Sequence, residues 1–90
     1  MTEIEGQDLP FLGHDRAVEI VTACAKTSRL NLSRTLSELG IDGISFQQCV
    51  FQGINDLGYE IEIDDIPNSP DTALIKVVSA IQNAPRRSNP

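Results

Sequence analysis

The side chains that most often carry enzyme chemistry are sparse in this chain and form no recognisable catalytic set. Nucleophilic catalysis needs a nucleophile, a general base and a group that orients the base. The one histidine, His14, lies near the chain start, where we interpret it as a solvated residue at the beginning of a helix. Cys24 and Cys49 lack the spacing of a metal site and fall inside predicted helices, so we interpret them as buried structural thiols. The sequence therefore predicts a protein that is not an enzyme.

A run of acidic residues after Tyr59 is the other candidate for chemistry. Its carboxylates lack the Asp-x-Asp-x-Asp-Gly spacing that folds oxygen ligands around calcium. They also lack the surroundings of a glycosidase acid pair. We interpret them as a solvated acidic face and predict no metal site. The members of the run are Glu60, Glu62, Asp64 and Asp65.

Charge is distributed unevenly along the chain. The net charge is −6, and no Lys or Arg occurs between Arg34 and Lys76. This excess of negative charge repels nucleic-acid backbones and anionic membranes, and it favours a protein partner with a basic patch. The acidic N-terminus does not have the character of a signal peptide, and no apolar run is long enough to span a membrane, so we expect a cytoplasmic protein.

Length and composition predict one small all-α domain. Ninety residues form a single domain with a small core, and an aromatic content of 4% requires that core to be aliphatic. An aliphatic core favours a helical bundle over a β-sandwich. We expect a monomer with a leader at 1–13, a domain at 14–82 and a disordered tail at 83–90.

Hydrophobic periodicity predicts three longer helices, at about 15–27, 45–57 and 71–82, with Val50, Leu57 and Val78 facing the core. On the first helix the predicted apolar stripe consists of Ala17, Ile20, Val21 and Cys24, widened by Val18 and Ala25. In the central helix, Ser45 is the expected N-cap, with Gln48 completing a capping box, and Gly58 closes the helix in a left-handed conformation. Several apolar residues outside the regular stripes are expected to pack inward as well: Leu9, Phe11, Leu12, Leu30 and Leu32.

The turn before the central helix resembles that of acyl and peptidyl carrier proteins. In that family it reads Leu-Gly-x-Asp-Ser-Leu, and the serine carries 4′-phosphopantetheine. Leu39, Gly40 and Asp42 match the motif, whereas Gly43 stands at the serine and Ile44 at the following leucine. We expect Gly43 to serve the turn by adopting a positive φ. The resemblance implies a small four-helix bundle with three longer helices and one short one.

The segment after the central helix is ambiguous from the residues alone. Residues 59–63 alternate apolar and acidic side chains, which is a strand pattern, but a lone strand has no partner in so short a chain. The resemblance instead implies an extended segment that leads into a short helical turn at 64–66.

The resemblance implies a divergent carrier protein of a specialised lipid, polyketide or peptide pathway that lacks the usual attachment serine. If the turn holds two extra residues, Ser45 is the alternative attachment site for 4′-phosphopantetheine. The other hypothesis is a carrier-like fold that acts as a non-covalent adaptor or regulatory module. In either case we expect a dedicated protein partner with a basic or apolar patch, contacting Asp42, Phe46, Asp56, Glu60 and Glu62.

Overall fold

The computed structural model describes residues 10–87 and confirms a mostly helical protein. Three α-helices, α1 (His14–Ala25), α2 (Gly43–Asp56) and α3 (Leu74–Ile81), are accompanied by two short 3₁₀ turns at Arg29–Asn31 and Ile63–Asp65. Within residues 10–87 the only β-pairing consists of isolated bridges, so the strand pattern at 59–63 does not produce a strand. The helical turn expected at 64–66 is the 3₁₀ turn, displaced by one residue.

Helix α1 ends two residues earlier than predicted. Lys26 has a left-handed conformation (φ 57°, ψ 46°), and its N–H turns back to the carbonyl groups of the last helical turn. A left-handed residue at this position is a common way for a helix to end. Cys24, which was predicted to lie in the apolar stripe of α1, is only half-buried. The buried residues of α1 all belong to the predicted stripe: Ala17, Val18, Ile20, Val21 and Ala25.

The core lies where α1 meets α2 and α3, and its buried residues are aliphatic except for Phe46 and Tyr59. From α2 it takes Phe46, Val50 and Ile54, and from α3 it takes Leu74, Val77, Val78 and Ile81. Gly53 allows the close approach of α1 to α2, because a Cβ there would lie 3.3 Å from Cγ2 of Ile20.

The end of α2 decides which side chain enters the core. The N–H of Gly58 donates to the Asn55 carbonyl (3.0 Å), and the N–H of Tyr59 donates to the Ile54 carbonyl (3.1 Å). With φ of +90° at Gly58, this is a Schellman motif, as its sequence position predicted. The turn brings Tyr59 into the core at 1% exposure and leaves Leu57 47% exposed. The prediction that Leu57 faces inward is therefore wrong.

Two other predicted anchors do not reach the core. Leu30 is 91% exposed because it lies on the 3₁₀ turn, away from the helices, and Phe11 is 45% exposed. Leu32 is half-buried against the core, and Leu12 is fully buried. Leu9 lies outside the described residues.

The packed part of the chain extends beyond the predicted domain bounds of 14–82. The segment after α3 runs between 10–13 and 58–60: the Leu12 N–H donates to the Ala84 carbonyl (2.9 Å), and the Glu60 N–H donates to the Pro85 carbonyl (2.9 Å). Ala84 is 4% exposed. Residues 83–87, which the sequence predicts to belong to a disordered tail, thus pack against the domain, and Leu12 belongs to the core and not to a leader.

A second pairing of loops holds residues 67–70 in place. The N–H groups of Leu36 and Ser37 donate to the carbonyls of Thr72 and Pro70, each at 3.0 Å. Farther along, the Ile75 N–H donates to the Leu32 carbonyl (2.8 Å). This pairing fixes the segment before α3 beside the start of α2, where the resemblance places the functional residue.

Candidate functional site at the start of helix α2

Asp42, and not Ser45, caps α2. The N–H of Ser45 donates to Oδ2 of Asp42 (3.0 Å), so the helix begins at Gly43, two residues before the predicted start. That backbone hydrogen bond, together with one from the Ser45 hydroxyl, lowers the pKa of Asp42 below its ordinary value of 3.8. Sequence reasoning missed this because Asp and Ser are equally good caps, and a capping-box spacing favoured Ser45.

Gly43 is needed for space and not for a positive φ. Positive φ occurs at three other described glycines, Gly13, Gly40 and Gly58, so the prediction for Gly43 is wrong. A Cβ on Gly43 would overlap the carbonyl oxygen of Asn68 and lie 3.1 Å from its carbonyl carbon. The backbone of the 67–70 segment therefore occupies the space that a side chain at position 43 would need.

Gln47 ties that segment to α2. Its Nε2 donates to the carbonyls of Ile63 and Ile66, both at 2.9 Å, and its Oε1 accepts from Nδ2 of Asn68 at 3.3 Å. One side chain one turn into the helix thus positions both the 3₁₀ turn and the residue that covers Gly43. No local sequence pattern predicts this role of Gln47, because its hydrogen-bond partners lie 16 to 21 residues away in the chain.

The surface at the start of α2 combines an apolar side chain with a carboxylate. Ile44 is 60% exposed and Asp42 is exposed beside it. Both border an open groove of about 580 Å³, which we call the α2-head groove, together with Ile41, Gly43, Asn68, Ser69 and Pro70. The predicted contact residue Phe46 is 2% exposed and belongs to the core, so it cannot contact a partner. Ile44 replaces it as the accessible apolar residue.

The other residues predicted to bind a partner lie elsewhere. Glu60 and Glu62 border a separate open groove with Asp65 and Asn83. Asp56, near the other end of α2, accepts a hydrogen bond from Nε2 of Gln52 (3.0 Å). Of the predicted set, only Asp42 lies at the α2-head groove, so the structure does not bring these residues together in one site.

The two cysteines form a disulfide bond between α1 and α2. Their Cα atoms are 5.8 Å apart, a separation usual for a disulfide. Cys49 is exposed and Cys24 is half-buried, so the prediction of two buried thiols is wrong. The pairing depends on how two helices pack, which is why the residue spacing did not reveal it. Disulfide bonds are rare in cytosolic proteins, so this pairing does not favour the cytoplasmic location that the sequence predicts.

His14, the first residue of α1, is exposed, and its Nδ1 lies 3.2 Å from Oε1 of Gln82. Within residues 10–87, no three His, Cys, Asp or Glu side chains converge in a way that could hold a metal ion. None of the helices in this part of the chain combines the length and apolar composition needed to cross a membrane.

Comparison with known proteins adds no relative from which a role could be transferred. No protein-family model matches the chain, and no curated protein or solved structure is significantly similar to it.

Proposed function

We propose that this protein is a non-covalent interaction module: a carrier-like domain that binds a dedicated protein partner without a prosthetic group. In this proposal the 3₁₀ turn at Ile63–Asp65 takes the place of the short fourth helix of a carrier protein. The partner brings a basic or apolar patch to the α2-head groove.

The observation that carries the proposal is the contact between Gly43 and Asn68. Covalent carriage at this position requires a side-chain hydroxyl, but Gly43 has no side chain and a Cβ would overlap the Asn68 carbonyl oxygen. Gly43 therefore does not fit an attached 4′-phosphopantetheine. Substitution of glycine by serine alone would not restore the site, because the covering backbone would also have to move.

The exposed residues at the start of α2 support binding of a protein partner and not covalent carriage of an acyl group. Ile44 is a large apolar side chain at 60% exposure, next to the carboxylate of Asp42. An apolar contact surrounded by charge is typical of the centre of a protein interface. The net charge of −6 adds long-range attraction for a basic partner.

One experiment separates the module from a carrier. The wild-type protein is incubated with coenzyme A and a broad-specificity phosphopantetheinyl transferase, and its intact mass is measured beside that of a known carrier protein. We expect no mass gain in the wild type. A gain that disappears in Ser45→Ala would establish a carrier and overturn the proposal.

A carrier loaded at Ser45 is the second candidate. Ser45 is exposed in the first turn of α2, where unpaired N–H groups favour a phosphate. However, its backbone N–H and its hydroxyl are both engaged by the Asp42 carboxylate, a negative charge that would repel the phosphate. We therefore rank this candidate below the non-covalent module.

The binding surface is tested with a matched pair of variants. Proteins captured from a cell extract by the wild type are compared with those captured by Ile44→Asp and by Leu30→Asp. Leu30 is also exposed, at 91%, but lies on a different turn. We expect Ile44→Asp to lose a specific partner that Leu30→Asp retains. Equal capture by both variants would show that Ile44 is not part of the binding surface.

A further inference from the structure

The disulfide is placed asymmetrically on the surface. Cys24 is the penultimate residue of α1, is half-buried and packs against the core, whereas Cys49 lies in the middle of α2 and is exposed. Both border an open, mostly apolar groove of about 570 Å³ between the two helices, with Ile20, Ala23 and Leu57. The bond can therefore be approached from solvent, and more easily from the Cys49 side.

We propose that Cys24–Cys49 is a site of reversible thiol–disulfide exchange with small thiols of the glutathione type, and that the exchange begins at Cys49. Exchange requires a thiolate to reach one of the two sulfurs, so access decides which sulfur is attacked. The exposed Cys49 offers that access, while the core contacts of Cys24 shield the other end. This inference does not depend on the proposed binding function.

The exchange consists of two successive displacements at sulfur. The thiolate of a first small thiol attacks Sγ of Cys49, the Cys24–Cys49 bond breaks, and Cys24 leaves as a thiolate that takes a proton from water. The second small thiol then attacks the sulfur of the first in the mixed disulfide, which releases Cys49 as a thiol. In sum, two small thiols become one small-molecule disulfide, and the protein gains two electrons and two protons.

The rest of the α1–α2 contact survives the exchange. Val21 on α1 and Val50 and Ile54 on α2 are fully buried and carry no sulfur. The dithiol form therefore keeps its fold. The residues between the two cysteines include the first 3₁₀ turn and the start of α2, so reduction releases a covalent restraint on the segment that bears the α2-head groove.

The entry point is tested with two single-cysteine variants, Cys24→Ser and Cys49→Ser. Each is reduced and then incubated with oxidised glutathione, and formation of the mixed disulfide is followed by intact mass. We expect Cys49, in the Cys24→Ser variant, to react at least about tenfold faster than Cys24 in the other variant. In denaturant the two rates should become similar, which attributes the difference to burial. Equal native rates, or faster reaction at Cys24, would overturn the proposal.

The wild-type protein provides a measurement without substitution. It is incubated under native conditions with graded ratios of reduced to oxidised glutathione, quenched with N-ethylmaleimide and analysed by intact mass and peptide mapping. We expect the disulfide to open while circular dichroism still shows folded helices. In any trapped mixed disulfide, glutathione should be on Cys49 and N-ethylmaleimide on Cys24. A disulfide that opens only when denaturant is added would show a purely structural cross-link, and glutathione mapped to Cys24 would show the opposite entry point.

Discussion

Gly43 and Asn68 are in direct contact across the start of α2. The main-chain carbonyl oxygen of Asn68 occupies the space that a Cβ on Gly43 would need. The partial negative charge of that oxygen suits the N-terminal end of a helix, where the dipole is positive. The chain thus closes with its own backbone the position at which the resemblance implies a modified serine.

This contact predicts that Gly43 tolerates no side chain without a shift of the 67–70 segment. We expect Gly43→Ala to lower the free energy of unfolding by about 1–3 kcal/mol, the usual cost of overpacking. The measurement is urea denaturation followed by circular dichroism. The control, Gln48→Ala, lies one turn farther along α2 and is exposed, and its effect should stay within about 0.5 kcal/mol. Equal stability of both variants would show that the Asn68 backbone can move away from position 43 without a measurable loss of stability.

The role of Gln47 predicts a contrast with its neighbour Gln48. Gln47→Ala removes the donor to the Ile63 and Ile66 carbonyls and should cost about 1–2 kcal/mol of unfolding free energy. Gln48→Ala removes an exposed side chain on the same helix and should be nearly neutral. Backbone chemical shifts should also change around Asn68 in the Gln47 variant alone. A neutral Gln47→Ala would mean that water replaces its hydrogen bonds without loss.

The cap at Asp42 predicts a pH dependence of stability. The hydrogen bonds from Ser45 lower the pKa of the folded-state carboxyl, so its ionised form stabilises the fold above the ordinary value of 3.8. This contribution is lost as the pH falls through the lowered pKa. Asp42→Asn keeps a capping oxygen without the charge. We expect the melting temperature of the wild type to exceed that of Asp42→Asn at pH 6 and the difference to shrink as the pH falls below 3.8. A constant difference would assign the effect to something other than ionisation.

Loss of the disulfide should weaken the domain without unfolding it. The cross-link joins residues 25 apart, and closure of such a loop contributes roughly 3 kcal/mol in the chain-entropy model. The double variant Cys24→Ser/Cys49→Ser should therefore melt at least about 10 °C below the oxidised wild type. Dithiothreitol should lower the melting temperature of the wild type and leave the double variant unchanged. A wild type insensitive to the reductant would contradict the assigned contribution.

Two aliphatic residues near the end of α2, Ile54 and Leu57, should differ in how much stability the protein loses when each is replaced by alanine. Ile54 is fully buried, so Ile54→Ala should cost about 2–5 kcal/mol by lost transfer energy and a residual cavity. Leu57 is 47% exposed, so Leu57→Ala should cost less than about 1 kcal/mol. Denaturation midpoints of the two variants provide the test. A larger loss at Leu57 would place it in the core, as the helical spacing alone had predicted.

Local patterns in the sequence were sufficient for the helical class and for the approximate position of each helix. Apolar residues at helical spacing mark α1, α2 and α3, because a helix must bury one face whatever it packs against. Gly58 closes α2 as expected, since only the residues beside it determine a left-handed turn. The acidic stretch between Arg34 and Lys76 is likewise a property of the sequence alone.

The features on which the two proposals rest depend on residues far apart in the chain. The backbone of Asn68 makes Gly43 necessary, and the packing of α1 on α2 joins Cys24 to Cys49. Helical spacing assigned Leu57 to the core, but the turn at Gly58 gives that place to Tyr59. Periodicity describes one element at a time, whereas a covered helix end or a cross-link requires two elements at a defined distance. Only the tertiary structure contains that distance.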